Sequence, residues 1–278
     1  SKEDDKIFDT CTITVTEKSS VKMIKVTSVS VSPRALNLTV NASKTLKAAL
    51  LPSNASNKTV KWTSKNPKIA SVDSRSGIVK AVSAGQTTIT ATAQDGSKKF
   101  GFCTVTVTPE PIQQDKTYEV ENFKYTVTSL KDRTVTLTES LNKNLQKITP
   151  PNTIQLQNIT YTVTAIGKGA FKNHKKATTA TLGANILSIG DSAFEGCAKL
   201  KKATIKSAKL NAIGKKAFQK CKKLKTITIK SLKLKNIGKN AFKGIHKKAT
   251  IKVPAKKLKN YKKYFKKTGQ PKTVRIKK

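Results

Sequence analysis

The feature that most constrains this chain is a hexapeptide, Ile-Gly-x-x-Ala-Phe, which recurs at residues 166–171, 189–194, 213–218 and 237–242. The intervals are 23, 24 and 24 residues. At that period each unit is one supersecondary coil that cannot bury its own apolar side and must stack on a copy of itself. Six residues after each Phe begins a short apolar pattern: Ala177, Ala180 and Leu182; Leu200, Ala203 and Ile205; Leu224, Ile227 and Ile229; then Lys248, Ile251 and Val253. This Leu-x-x-Leu-x-Leu spacing describes a strand whose alternate side chains point inward. Stacking then turns the repeated Ile, Ala, Phe and Leu into ladders along one continuous core. Lys248 stands where an apolar residue is expected, and terminal repeats of such arrays are atypical.

These motifs resemble the BspA-like leucine-rich repeats of bacterial surface proteins, whose coil joins a short strand to a tight turn carrying the hexapeptide. The resemblance covers residues 164–253 and implies a leucine-rich-repeat solenoid. Residues 111–163 carry strand patterns at 118–120, 125–127, 134–137 and 159–163, and read as an N-terminal β cap. After the repeats, Pro254 fits the first position of a helix to about Lys267, with Gly269 and Pro271 as stop signals. Leu258, Tyr261 and Phe265 share one face of it and lysines occupy the rest. A helix lying on a membrane surface has the same signature. Its place directly after the last coil favours a capping helix, and with a final strand over 273–276 it makes residues 254–278 the C-terminal cap.

The first part of the chain has a different rhythm. Short alternating strands at 29–32, 36–40, 45–51, 60–63, 70–73, 78–82, 87–93 and 103–107 are separated by turn residues, the pattern of a β-sandwich over residues 24–110. The segments Val-Lys-Trp-Thr-Ser at 60–64, Ser-Gly-Ile-Val at 76–79 and Ala-Gly-Gln-Thr-Thr-Ile-Thr-Ala at 84–91 resemble the bacterial Ig-like group 2 family. Trp62 offers either a sugar-stacking platform or a sandwich-core anchor, and a lone Trp on an alternating strand favours the core. Residues 8–16 echo residues 100–108, so residues 1–17 read as the last strand of a preceding Ig-like domain, with an extra strand on the present module as the alternative. The expected fold is therefore mixed but mainly β: an Ig-like β-sandwich followed by a short leucine-rich-repeat solenoid with a C-terminal capping helix. No run of about 18 apolar residues is present, so no membrane insertion is expected. The chain opens at Ser1 without a leader pattern, which places any secretion signal upstream of it.

Charge divides along the same line. Residues 1–110 hold 16 basic and 8 acidic residues, and the remainder holds 40 and 7. From Cys197 to Lys278 there are 30 basic residues and no Asp or Glu. Such a surface attracts polyanions, and it is equally what a solvated, lysine-rich face looks like. Catalytic chemistry finds little support. Phosphate-loop, His-Glu-x-x-His, Gly-x-Ser-x-Gly and Cys-x-x-Cys motifs are absent. Asp191 and Glu195 are the carboxylates of the repeats, four residues apart, and read as solvated charge. His174, Cys197 and Cys221 are repeat-equivalent. A row on adjacent coils is one ligand short of a zinc cage, so no metal and no cofactor is expected. All four cysteines, Cys11, Cys103, Cys197 and Cys221, are expected to be free thiols, the last two pointing inward in parallel.

Outward-facing residues of the repeat strands fall into three columns: Thr179, Lys202, Thr226, Thr250; Thr181, Thr204, Thr228, Lys252; and Gly183, Lys206, Lys230, Pro254. Lys202, Lys206, Lys230 and Lys252 are the candidate ligand-binding residues. The expected function is an adhesion or recognition module on a bacterial cell surface or secreted from it. Its expected partner is an anionic glycan, a wall polymer or a host extracellular protein, met by a monomer. Nucleic acid is disfavoured, because the few aromatics belong to core ladders and leave no stacking platform among the lysines. The alternative is a stalk held noncovalently on the producer's anionic wall, since the sequence shows no Leu-Pro-x-Thr-Gly signal before its Arg-Ile-Lys-Lys finish.

Overall fold

The computed structural model describes residues 11–14 and 22–278. It divides into two compact units that meet in sequence between Glu110 and Pro111. The reading of residues 1–17 as a strand falls outside the described residues except at 11–14, which are exposed and carry no strand.

In the first unit, a four-stranded sheet runs in the order Ala35–Thr39, Phe100–Thr108, Gly85–Ala93, Val60–Ser64. A three-stranded sheet is formed by Ser43–Thr45, Ile78–Ala81 and Ala70–Val72, and Ser28–Ser32 pairs with Lys47–Leu51. The expected single strand over 45–51 is thus two strands in different sheets. Leu46, buried between them, marks the crossing, and its N–H donates to the Gly77 carbonyl at 3.0 Å. Trp62 is buried at 4% exposure among Val79, Ile89 and Val105, as the core reading required. Gly77 lies against its indole: a Cβ there would stand 2.8 Å from Trp62 Cε2, and its φ of +72° disfavours any other residue.

The second unit is a stack of coils joined by two sheets. One sheet is parallel throughout, in the order Lys147–Ile148, Thr179–Leu182, Lys202–Ile205, Thr226–Ile229, Thr250–Lys252, Arg275–Lys277. The other begins as antiparallel strands, Thr117–Val120, Phe123–Ser129 and Thr134–Ser140, with Thr153–Leu156 folded onto Ile159–Ile166. It continues in parallel through the two-residue strands Ser188–Ile189, Ala212–Ile213 and Asn236–Ile237. Between the sheets, Phe171, Phe194, Phe218 and Phe242 are all fully buried and stack ring on ring, with centroids 5.3, 5.0 and 5.7 Å apart. The hexapeptide glycine permits this pitch. A Cβ on Gly214 would lie 2.5 Å from the backbone N of Asp191 in the coil before it, and one on Gly238 would lie 2.4 Å from Lys215 N.

Two expectations are corrected here. Lys248 is not inward: Thr250 keeps its register with Thr226, eight residues after the hexapeptide Phe as in the other coils, but the bend is wound one residue later, so Ala249 turns into the core and its N–H donates to His246 O at 2.9 Å where Leu224 donates to Cys221 O. The capping helix is also not continuous. It breaks into a 3₁₀ turn at Ala255–Lys257, a short α segment at Leu258–Lys262 and a second 3₁₀ turn at Lys263–Lys267. The break follows from what the last coil needs. Lys267 O and Thr268 O accept the N–H groups of Asn240 and Phe242, just as coil carbonyls do elsewhere in the stack. The Tyr261 hydroxyl accepts from Leu234 N at 2.9 Å and donates to Ser231 O at 3.2 Å. Phe265 closes the ring stack 5.8 Å from Phe242. The segment is a coil in altered form, and a straight helix would leave those donors unmet.

Candidate binding surface

The solvent face of the parallel sheet is set by register. Lys147, Thr179, Lys202, Thr226, Thr250 and Arg275 are successive partners in one column, and Thr181, Thr204, Thr228, Lys252 and Lys277 form the next. Inward partners Ala180, Ala203, Ile227 and Ile251 alternate with them and are buried. A parallel sheet leaves no freedom to slip by one residue without turning this core outward.

The four candidate lysines are all exposed, and the structure divides them. Lys206 and Lys230 end adjacent strands, their N–H groups donating to Leu182 O and Ile205 O of the coils before. Lys230 and Lys252, together with Lys278, line a depression of about 410 Å³ over Thr228 and Pro254. Lys202 begins its strand, four residues from Lys206, so about 13 Å of extended chain separates them. That exceeds the screening length of about 8 Å at physiological ionic strength. Lys206 and Lys230 are therefore neighbours on adjacent strands and Lys230 shares its depression with Lys252, whereas Lys202 lies at the opposite end of its strand from Lys206.

His174, Cys197 and Cys221 do form one buried row, and each is engaged by the protein. The Cys197 and Cys221 thiols donate to Phe171 O and Phe194 O, both at 3.1 Å. Cys221 is held well above the ordinary thiol range by its contact with Cys197 and by burial. His174 Nε2 lies 3.0 Å from Ser140 Oγ, while Nδ1 is buried without a partner. Burial depresses its pKa, so the ring is neutral. Among the described residues no three His, Cys, Asp or Glu side chains are grouped as a metal site. Asp191 Oδ1 accepts the Lys215 N–H at 2.6 Å and Glu195 pairs with Lys172 at 3.2 Å, so both carboxylates tie one coil to the next.

Sequence reasoning passed over the lysines at the bend that precedes each parallel strand. Their signal is the same 23–25-residue recurrence that exposed the hexapeptide, read at polar rather than apolar positions.

A β-sandwich followed by a stacked-coil array is the build of a modular repeat protein. Its parts match known families: residues 25–101 are a bacterial Ig-like domain (group 2), and residues 142–271 are a BspA-type leucine-rich repeat region with six copies. Both are non-enzymatic families typical of surface or secreted bacterial proteins with protein-interaction roles. An uncharacterized protein of Clostridium acetobutylicum is 43% identical over 82 residues, covering 30% of this chain and 8% of that protein. An Ig-like virion protein of Serratia phage KSP90 is 39% identical over 85 residues, 31% of this chain and 33% of that protein. A 3-O-α-D-galactosyl-α-L-arabinofuranosidase of Bifidobacterium longum is 40% identical over 78 residues, which is 7% of the enzyme. The chain thus spans a third or less of each of these relatives. Among solved structures, a leucine-rich repeat protein from Bacteroides capillosus is 27% identical with a TM-score of 0.44, covering 50% of this chain and 98% of that one. A leucine-rich cell surface protein from Faecalibacterium prausnitzii is 21% identical with a TM-score of 0.40, covering 59% and 51%. No helix among the described residues is long and apolar enough to cross a membrane.

Proposed function

We propose that this chain is an extracellular recognition module of a bacterial surface protein, in which the repeat solenoid binds a macromolecular ligand through its basic surface. The observation that carries this reading is a register-fixed, solvent-facing sheet whose last four strands lie in a stretch with 30 basic residues and no acidic ones. Beyond Glu195 the sequence offers these lysines no Asp or Glu to neutralise them, so an external anion is the complement. The cap supports the same reading, because it ends the stack with backbone bonds and adds the basic strand Arg275–Lys277 to the sheet.

The test is binding of the whole chain to immobilised heparin, sialylated glycan, teichoic acid and intact producer cells, at low and at physiological salt. Capture by host-type glycans supports recognition. Capture by wall polymer and producer cells alone supports the stalk reading instead. Absence of capture in every arm refutes a role for the charge.

A further inference from the structure

A second basic surface lies at the bend before the parallel strands. In four successive coils the first inward residue, Ala177, Leu200, Leu224 or Ala249, donates its N–H three residues back, to His174 O, Cys197 O, Cys221 O or His246 O, at 2.9–3.2 Å. The acceptor is the third residue after the hexapeptide Phe in the first three coils and the fourth in the last, so the residue just before the inward one keeps one place in three coils and stands one residue nearer the strand in the fourth. That residue is Lys176, Lys199, Lys223 and Lys248, and all four are exposed. Beside them run Lys201 and Lys225, whose backbones are bonded directly across coils, Lys225 N to Lys201 O at 3.0 Å. No ion pair to any of these six is present among the described residues. Where the column ends, Lys248 and Arg275 line a depression of about 390 Å³ with Thr250 and Thr273.

Spacing gives the column its chemical meaning. The coils repeat every 5.0–5.7 Å, measured on the stacked phenyl rings. This is shorter than the screening length of about 8 Å at physiological salt, so neighbouring ammonium groups act as one line of charge. Four such groups span roughly 15 Å at a strand spacing of ~4.8 Å. The line runs across the coils, along the solenoid axis: the unbroken sheet register from Thr179 to Thr250 aligns Lys176, Lys199 and Lys223 and sets Lys248 one residue nearer its strand. A globular acidic protein presents its charges scattered in two dimensions. A linear polymer bearing a sulfate or phosphate on successive units presents them in a row.

We infer that the column Lys176–Lys199–Lys223–Lys248 is a binding track for a linear sulfated or phosphorylated polymer, laid along the solenoid axis with one anionic group to each coil. This rests on the proposed function and deepens it, moving the principal contact from the lysines at the far edge of the strands to the bend. Release of counterions from the polymer drives binding, so each lysine contributes to the salt dependence as well as to affinity.

The experiment compares the whole chain with two fourfold variants, Lys176, Lys199, Lys223 and Lys248→Gln, and Lys202, Lys206, Lys230 and Lys252→Gln. A third variant carries Arg at the four bend positions. Probes are heparin oligosaccharides and linear polyphosphates of graded length, with inorganic phosphate as the monomer. The inference expects the bend variant to lose at least ~10-fold in affinity and about three units of salt slope, at roughly 0.7 per lost contact. It expects the strand variant to lose less, the Arg variant to bind as the parent does, and affinity to climb with probe length up to four anionic groups. Preference for heparin over polyphosphate, or the reverse, distinguishes sulfate from phosphate as the anionic group. All side chains changed are exposed, and an unshifted thermal transition checks that the fold is intact. If the strand variant loses more, the track is wrong and the proposed function stands. Equal losses with no length dependence also overturn the track. If the parent chain binds neither polymer at low salt, the track is overturned, and the proposed function rests on the sialylated-glycan, teichoic acid and producer-cell arms.

Discussion

Replacing Phe218 by Ala tests whether the ring stack holds the solenoid together. Phe218 is fully buried, 5.0 Å from Phe194 at an interplanar angle of 1° and 5.7 Å from Phe242 at 12°. Removing the ring forfeits about 100 Å² of buried apolar area, or ~2.5 kcal/mol at 25 cal/mol per Å². A residual cavity adds ~24 cal/mol per Å³ to the extent that the neighbours fail to close it. Here closure is poor, because the Phe194 and Phe242 backbones are each pinned by an N–H bond to the element that follows, to Ala217 O of the next coil and to Thr268 O of the cap. The expected loss is therefore in the upper part of the usual Phe→Ala range, about 4–5 kcal/mol. Tyr118, Tyr125, Tyr161, Tyr261 and Tyr264 all lie in the second unit and Trp62 in the first, so urea unfolding separates the two spectroscopically. The tyrosine transition should move and the Trp62 transition should not. A loss under ~1 kcal/mol, or an equal shift of both transitions, would refute the reasoning. Phe100→Ala, at a ring that is 61% exposed, is the matched control and should change stability by less than ~0.5 kcal/mol.

Three further outcomes are expected. Alkylation under non-reducing, denaturing conditions should modify all four cysteines, and in the native chain only the exposed Cys11; protection of Cys197 and Cys221 together after denaturation would mean a disulfide between coils. Gly214→Ala should destabilise the solenoid by about 1–3 kcal/mol, because its Cβ would meet Asp191 N and the Gly190 carbonyl carbon at 2.5 Å and push the coils apart; a neutral effect in urea titration would show that the coils are not packed on backbone here. Burial holds the folded pKa of His174 below the ordinary histidine value of about 6.5, so the unfolded chain binds the proton more readily. Its contribution to stability is complete above that value and is lost as pH falls below 6.5 toward the folded pKa. His174→Cys, which installs the residue of the next two coils, should flatten the fall in stability as pH drops below about 6.5; an unchanged pH profile would place the sensitivity elsewhere.

The repeats were readable because stacking forces one residue type to recur at one place, and Phe171, Phe194, Phe218 and Phe242 met that demand visibly. The ends were less readable for the same reason. Phe123 packs edge-on against Phe171 at 6.1 Å, yet it comes from a strand with no hexapeptide around it. Strands Lys147–Ile148 and Thr153–Leu156 lie among Pro, Asn and Thr residues that read as loop, and register with Thr179–Leu182 is what makes the first a strand. Lys248 misled because the bend of that coil is wound one residue later with no change in the distance from Phe242 to the strand, so the repeat spacing does not record the shift. The candidate lysines were named as one set from three separate columns, and strand length puts Lys202 and Lys206 at opposite ends of one strand.

The two ends of the solenoid solve one problem by different means, and the difference bears on function. A stack of coils leaves an apolar ring and a row of unpaired N–H groups at each terminus, an open edge on which another chain can add. At the start, the antiparallel strands Thr117–Val120 and Phe123–Ser129 cover it, with Phe123 turned against the first ring of the stack. At the finish, Phe265 supplies the ring, Tyr261 and Thr268 meet the backbone groups, and lysines fill the exposed positions of the same segment. Charge of one sign on an edge is the usual defence against self-association. Here it also prolongs the basic surface by one coil past the last hexapeptide, adding Arg275 and Lys277 in register with Thr250 and Lys252. Capping and recognition thus draw on the same lysines. Neutralising the exposed lysines of the cap should therefore weaken polyanion binding and promote association of the chain together, and separation of the two effects would show that the cap is structural alone.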